Sequence, residues 1–512
     1  MSNTSIDARR ERRRKRKRQV LIYKMLILLA LVAALVVCLV MAVRSIHPKT
    51  PKTPDASVEA SSASGSSGSE EGSEGSGGES ESVTADISGS DKYRTDDRAG
   101  ALALAEDLAS HYDYDTALAV LAGYSGYAND NEFRTRINQY TSAKADCVPV
   151  DVEMVPHVFY HSLMNDSRGL RESYVGEYVA MGNNCWMCTV PEFNTMTQQM
   201  YDYGCVLIRL RDLVKETRDA DGTVHFVPND SLMLPRGKTA VIMSEDDLSY
   251  YHSYDNQGFA SRLVVDQATG KVKALYQDEF GGSYVGDYDV VPLLSTFIDK
   301  HPDFSYKNAH LIVAMTGYNG CFGYRTDASY VTGELLDDEQ KAWLEDNPSF
   351  NHDNEVLQAR AVAEAMKAEG FEFASHTWGH LRAGDVDLDR LIADNERFVA
   401  SVVPVIGEVD TIIFAHGQDI GDWHDYSMDN EKFAYYKGQG YNFYCNVDGS
   451  TPYWIQLRDN YVRTGRIDLD GYRLYKAMMG EENSVRCVEA VGIHDINMFF
   501  SMDRMQPVEL TG

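Results

Sequence analysis

Two short stretches hold residue types that can do chemistry together. The first is Ser244-Glu-Asp-Asp-Leu248, where three acids follow a short apolar run, Ala240–Met243. The second is Ser375-His-Thr-Trp-Gly-His380, whose first imidazole lies 129 residues beyond Asp247 and whose two histidines are four positions apart. Metal sites rich in oxygen and nitrogen are built from carboxylates and imidazoles, and one helical turn or one tight loop aims such a histidine pair at a common point. With Asp247 as third ligand, His376 and His380 form a three-ligand site that leaves positions open for water and substrate. A metal there lowers the pKa of its water and polarises a carbonyl. Asp246 is then the general base for that water, because successive aspartates point in different directions and can divide two tasks. Alone, an Asp-Asp pair is ordinarily a solvated turn and a His-x-x-x-His pair a helix surface. Two such motifs, each ending a strand of one α/β pattern, point instead to a catalytic metal centre.

The elements that must position these residues start near Cys147. Val155–Tyr160 predicts a strand that ends in Tyr160-His161-Ser162. Pro191–Tyr203 predicts a helix closed by Gly204, and Val206–Arg209 a short strand. Arg262–Asp266 and Lys271–Tyr276 flank Ala268-Thr269-Gly270 as a hairpin insertion. Val290–Lys300 reads as a helix. Ala309–Met315 reads as a buried strand that runs into the Gly/Tyr-rich loop Thr316–Arg325, suited to lie against a ring-shaped ligand. A helix over Glu355–Glu369, a strand at Phe371–Ala374, a helix over Asp387–Val403 and a strand at Thr411–Phe414 follow. Repeated strand–helix units predict a parallel α/β sheet or barrel with its chemistry at the C-terminal strand ends.

These motifs resemble those of the NodB-type polysaccharide deacetylases, over roughly Val148–Gly512. Tyr160-His161-Ser162 resembles the family's early Tyr-His-Ser segment. Ser244-Glu-Asp-Asp-Leu248 looks like its Thr-Phe-Asp-Asp-Gly motif, and Ser375-His-Thr-Trp-Gly-His380 matches its His-Ser/Thr-x-x-His motif. Ile413-Phe-Ala-His-Gly417 stands where the family has a proline-containing loop, and Phe500–Pro507 is similar to the ending of clostridial-type members. The resemblance implies a distorted parallel (β/α) barrel, a divalent metal (zinc, with cobalt or nickel as alternatives) and hydrolysis of N-acetyl groups on a cell-wall or surface glycan. It maps Asp246 to the base, Asp247, His376 and His380 to the metal ligands, and the backbone N–H of His416 to the oxyanion donor. The chain departs from the pattern at Leu248, which replaces a glycine, and at Ala415, which replaces a proline. The third motif also lacks its arginine, for which Arg325 is the substitute offered by another loop. The family's late histidine acid has three candidates, His161, His424 and His494. His161 ranks first because it ends a predicted strand.

The rest of the chain supplies context. It has 512 residues, 44% of them hydrophobic, and a formal net charge of −29. Residues 1–44 hold 11 of the 48 basic and 2 of the 77 acidic residues, so the remainder carries a balance of −38. Such a body repels phosphate and excludes non-specific nucleic-acid binding. Residues 1–24 read as a basic cytoplasmic segment. Met25–Val43, nineteen residues without a charge, reads as an uncleaved transmembrane helix with the bulk of the chain outside the cell. Residues 44–90 are a Ser/Gly/Glu-rich linker that cannot bury enough apolar surface to fold. Residues 91–146 carry helical spacings in three short pieces that resemble a tetratricopeptide hairpin, a platform for a protein partner. Residues 147–512 are the deacetylase-like domain. Cys185-Trp-Met-Cys188 has metal-knuckle spacing without a second pair to complete it. Three readings follow: an N-deacetylase of peptidoglycan or another surface glycan, an esterase on O-acetyl groups using the same site, and a catalytically silent glycan-binding or scaffolding protein on the same fold.

Overall fold

The computed structural model describes residues 89–510. The basic segment, the apolar span and the linker up to residue 88 lie outside the described residues. Among those described, no helix is long and apolar enough to cross a membrane.

Seven parallel strands close into a ring. They are β1 His157–His161, β2 Thr239–Asp246, β3 Ile312–Met315, β4 Glu372–Ser375, β5 Thr411–Ile413, β6 Phe443–Val447 and β7 Tyr461–Asp468. Each pairs in parallel with the next, and β7 returns to β1. The expected barrel is present, with seven strands where the common (β/α) barrel has eight. Helices Val290–Lys300, His352–Glu369, Leu388–Ser401 and Glu431–Gly438 fill the crossovers from β2 to β6. Between β6 and β7 the chain instead lays an antiparallel strand, Ile455–Arg458, along β7. The sequence patterns place β1 to β5 within a few residues and miss β6 and β7.

Side-chain alternation along the strands sorts the core. On β2, Ala240 and Ile242 pack inside the barrel with Ala314, Ala374, Ile413, Phe443 and Val462. Val241 and Met243 face outward, beneath Val291, Leu294 and Phe193 of the surrounding helices. The same period of two sends Ser244 and Asp246 inward and Glu245 outward. Going up the barrel, the interior therefore changes from apolar to polar. His157 Nδ1 is 3.0 Å from Thr464 Oγ1, and its Nε2 is 3.1 Å from Ser244 Oγ. Arg466 donates to the same Ser244 oxygen at 3.1 Å. This bonded layer floors the mouth of the barrel.

The helical region forms as three pieces, Arg98–Ser110, Tyr114–Gly123 and Asn131–Ala145. It docks near the N-terminal end of β3, away from the acids. Tyr112 Oη donates to Asp303 O at 2.7 Å, and Lys307 N donates to His111 O at 2.8 Å. His310, buried beside this seam and packed on Phe371 with ring centroids 4.6 Å apart, carries a stability prediction. Burial, with Arg209, His111 and Lys271 adding to it, pushes the His310 imidazole down to about 4. A depressed folded pKa contributes stability above the unfolded value of about 6.5, and that stability is lost as pH falls toward 4. The loss should reach about 3 kcal/mol in urea unfolding, and His310→Phe should remove most of that acid dependence. An unchanged pH profile in the variant would refute the assignment.

Candidate metal centre

β2 delivers Asp246 to the barrel mouth, and the chain turns sharply after it, with Asp247 at φ 64°. His376 follows β4 directly. The two histidines sit on a tight loop, not on a helical turn, and that loop holds Thr377 at φ 63° and His380 at φ 52°. His416, on the turn after β5, has φ 56°. Four non-glycine residues in the left-handed region thus surround one site, each at a cost on the order of 1–2 kcal/mol. Strain concentrated in this way marks a geometry that packing imposes.

That geometry converges as the sequence predicted. Nε2 of His376 is 3.8 Å and Nε2 of His380 is 3.6 Å from the same atom, Asp247 Oδ1. The three ligand atoms all lie within 4.8 Å of one another. Nδ1 of His376 is 2.7 Å from Ile413 O. Donation to that carbonyl fixes the tautomer that leaves the Nε2 lone pair free for a metal. Ligands about 2.0–2.2 Å from one zinc stand a little over 3 Å apart in a tetrahedral shell, so the residues present fit a divalent ion. Burial lowers the His376 imidazole, which favours the neutral, ligating form. Burial alone would raise Asp247, but the facing histidines His380, His376 and His161 hold it below the usual carboxylate range.

Asp246 faces the same mouth, its Oδ2 3.9 Å from His376 Nε2. Its partner is Arg466 on β7, through a bidentate pair at 2.7 and 2.8 Å. Arg466 is 0% exposed and its guanidinium lies 4.1 Å from the Phe159 ring. Burial would raise the Asp246 carboxyl, but the Arg466 guanidinium, with His376 and His161 also facing it, holds it well below the ordinary range. The arginine expected from Arg325 is therefore supplied by Arg466. Arg325 is buried elsewhere and spends its donors on Ser249 O, Asn319 O and Tyr250 O, where it ties the loops after β2 and β3 together.

Of the three histidine candidates, His161 is the one aimed at the site. It pairs in register with Asp246 on the adjacent strand, and its buried Nδ1 has no hydrogen-bond partner among the described residues. His424 is exposed, bonded to Asp422 and stacked on Trp423, and exposed His494 bonds Gly492 O. The His416 ring packs against His380 with centroids 4.2 Å apart. Burial, with His380 and Arg382 nearby, pushes its imidazole down to about 4. The third acid, Glu245, turns away from the mouth. It is buried, neither carboxylate oxygen is hydrogen-bonded among the described residues, and burial, with Asp289 and Asp246 adding to it, raises it well above the usual range.

Three contributors escaped the sequence patterns: Arg466, the Ile413 carbonyl and Tyr251. Tyr251 Oη donates to Asp247 Oδ1, lies 2.8 Å from Thr316 Oγ1, and stacks on Tyr318 of the Gly/Tyr-rich loop with centroids 5.2 Å apart. That loop therefore braces Asp247 from behind. The Cys185–Cys188 knuckle takes no part: the Cys188 thiol donates to Leu469 O, and burial pushes it well above its ordinary value.

No protein-family model matches the chain. No curated protein matches it either. Among solved structures it is similar to the Streptococcus pyogenes deacetylase PplD in complex with acetate, with a TM-score of 0.29 and 12% identity, over 63% of this chain and 96% of that one. A likeness this distant carries no argument about activity. What the chain can do rests on the Asp247, His376 and His380 cluster and on Asp246 clamped by Arg466 beside it.

Proposed function

We propose that this chain is a metal-dependent carbohydrate N-deacetylase that hydrolyses N-acetyl groups of a cell-wall or surface glycan. The observation that carries the proposal is the convergence of Asp247 Oδ1, His376 Nε2 and His380 Nε2 beside an arginine-clamped Asp246. A divalent ion held by those three residues, zinc first and cobalt or nickel as alternatives, would make a water acidic and polarise the acetyl carbonyl. Asp246, kept anionic by Arg466, takes a proton from the attacking water as its oxygen bonds to the carbonyl carbon. The weak basicity that Arg466 imposes suits a water already made acidic. The backbone N–H of His416 donates to the carbonyl oxygen as charge gathers there. His161 gives a proton to the amide nitrogen as the C–N bond breaks, so acetate and a glycan amine leave. Met25–Val43 would anchor the chain in the membrane with the barrel outside, and the linker would let it reach wall polymer. Each acetyl group removed adds a positive charge to that polymer.

The test is acetate release from N-acetylglucosamine oligomers by the full-length protein, with zinc, cobalt or nickel added or after chelation. Release that requires metal supports the proposal. Faster release from an O-acetylated glycan would move the activity to the esterase reading. No release with any metal, together with retained glycan binding, would leave the silent glycan-binding reading standing.

A further inference from the structure

The two metal-ligating histidines are held by different means. His376 is 1% exposed, and its outer nitrogen is anchored on Ile413 O at 2.7 Å. His380 is 24% exposed at its side chain, and its outer nitrogen makes no hydrogen bond among the described residues. Metal-bound histidines ordinarily donate that second nitrogen to a carbonyl or a carboxylate, which fixes the ring plane. What His380 has instead is the ring of His416, with centroids 4.2 Å apart and planes inclined by 50°. The His376 ring centroid is farther away, at 5.1 Å. The backbone at His416 is bent into the left-handed region to bring its ring there, and Gly417 follows at φ 65°. A β-carbon on Gly417 would come within 2.6 Å of Val447 Cβ, so β6 buttresses the turn from behind. A strained residue on a braced turn, with its ring laid on an otherwise unanchored ligand, has a geometric purpose.

We propose that the His416 side chain is a positioning residue for His380, setting the ligand's ring plane by contact where a hydrogen bond is missing. The inference rests on the metal-centre reading above. It concerns the ring alone, because the backbone N–H assigned to the oxyanion is present whatever side chain stands at 416. Ring contact, not nitrogen, is the active property, so phenylalanine should replace histidine and alanine should not. Asp247 Oδ1 remains the common point that His380 must face, 3.6 Å from its Nε2.

The experiment measures zinc affinity of the purified full-length protein by competition with a chromogenic chelator. His416→Ala, His416→Phe and Asp247→Asn are compared with the parent, and thermal melting of the metal-free proteins serves as the folding control. His416→Ala should weaken zinc binding about 10–100-fold, and His416→Phe should stay within about threefold of the parent. Equal affinity in His416→Ala and the parent overturns the proposal. Equal losses in the alanine and phenylalanine variants also overturn it, since they would make the nitrogen itself the operative group. If the parent binds no zinc, or Asp247→Asn binds it as tightly as the parent, the metal-centre reading has failed. If Asp247→Asn loses zinc while His416→Ala keeps it, only the role of His416 has failed.

Discussion

Asp246→Asn is expected to lower kcat for acetate release about 10²–10⁴-fold, the usual contribution of a positioned base, with zinc affinity nearly unchanged. Asp246 stands outside the three-ligand cluster, so the metal keeps its donors. The same substitution should also cost stability. It strands the Arg466 guanidinium, fully buried and among the described residues otherwise bonded only to Ser244 Oγ, without its paired carboxylate. Removing one partner of a buried ion pair typically costs about 3–5 kcal/mol. Replacing both partners with uncharged groups of similar size is often neutral, so Asp246→Asn combined with Arg466→Met should recover most of the loss and remain inactive. Denaturant unfolding and acetate assays on the two single variants and the double separate the two effects. A fully active Asp246→Asn would dismiss Asp246 as the base, and an unchanged unfolding curve would dismiss the pair as a structural clamp.

The sequence exposed the parts of this site that sit on apolar strand patterns and hid those that do not. β2 reads as a strand because Ala240–Met243 is apolar, and its acids stand out at the end. β4 reads as a strand for the same reason, and His376 and His380 follow it. β7 has the sequence Tyr-Val-Arg-Thr-Gly-Arg-Ile-Asp, in which the inward positions after Val462 are polar and two arginines interrupt the run. Its inward face belongs to the polar floor of the mouth, where Thr464 meets His157 and Arg466 meets Ser244 and Asp246. Hydrophobic periodicity fails there because the barrel interior at that level is a buried hydrogen-bonded network and not an apolar core. Arg325 is the substitute the sequence offers for the arginine missing from the third motif, yet only the closing of the ring brings β7 to β1 and so places Arg466 opposite Asp246. Parallel pairing over more than two hundred residues of separation is not a local property. Tyr251 is hidden for a different reason: its role depends on the left-handed turn at Asp247, which folds a residue four positions later back onto the carboxylate.

Buried neutral histidines make both ends of the barrel sensitive to acid. His157 is kept neutral by burial and by Arg466, well below the ordinary histidine value. Protonating it would put a second cation beside the guanidinium that clamps Asp246. Because its folded pKa is depressed, its contribution to stability is present above about 6.5 and is lost as pH falls. The floor of the mouth and the His310 seam are therefore expected to weaken in the same direction, and acidification should loosen the barrel at both ends.

Asp247→Asn should abolish metal-dependent acetate release and weaken zinc binding by more than the roughly 10–100-fold that loss of an outer-shell contact produces. The change removes one charge and little else. Asparagine tolerates the left-handed conformation that Asp247 adopts at φ 64°, so the turn after β2 has no new reason to open. Its side-chain oxygen can still accept from Tyr251 Oη, which now donates to Oδ1. What disappears is the anionic ligand on which the His376 and His380 Nε2 atoms converge at 3.8 and 3.6 Å. The metal-free variant should accordingly melt close to the metal-free parent. The parent should rise in melting temperature as zinc is added, because zinc binds the folded state, and the variant should not. Acid should weaken parent zinc binding, since both imidazoles must be neutral to ligate. Burial lowers the His376 imidazole, so that ligand keeps its neutral, ligating form below the ordinary histidine range. A variant that still gains stability from zinc, or still releases acetate at the parent's rate, would remove Asp247 from the ligand set and leave the two histidines without the anion that brings them together.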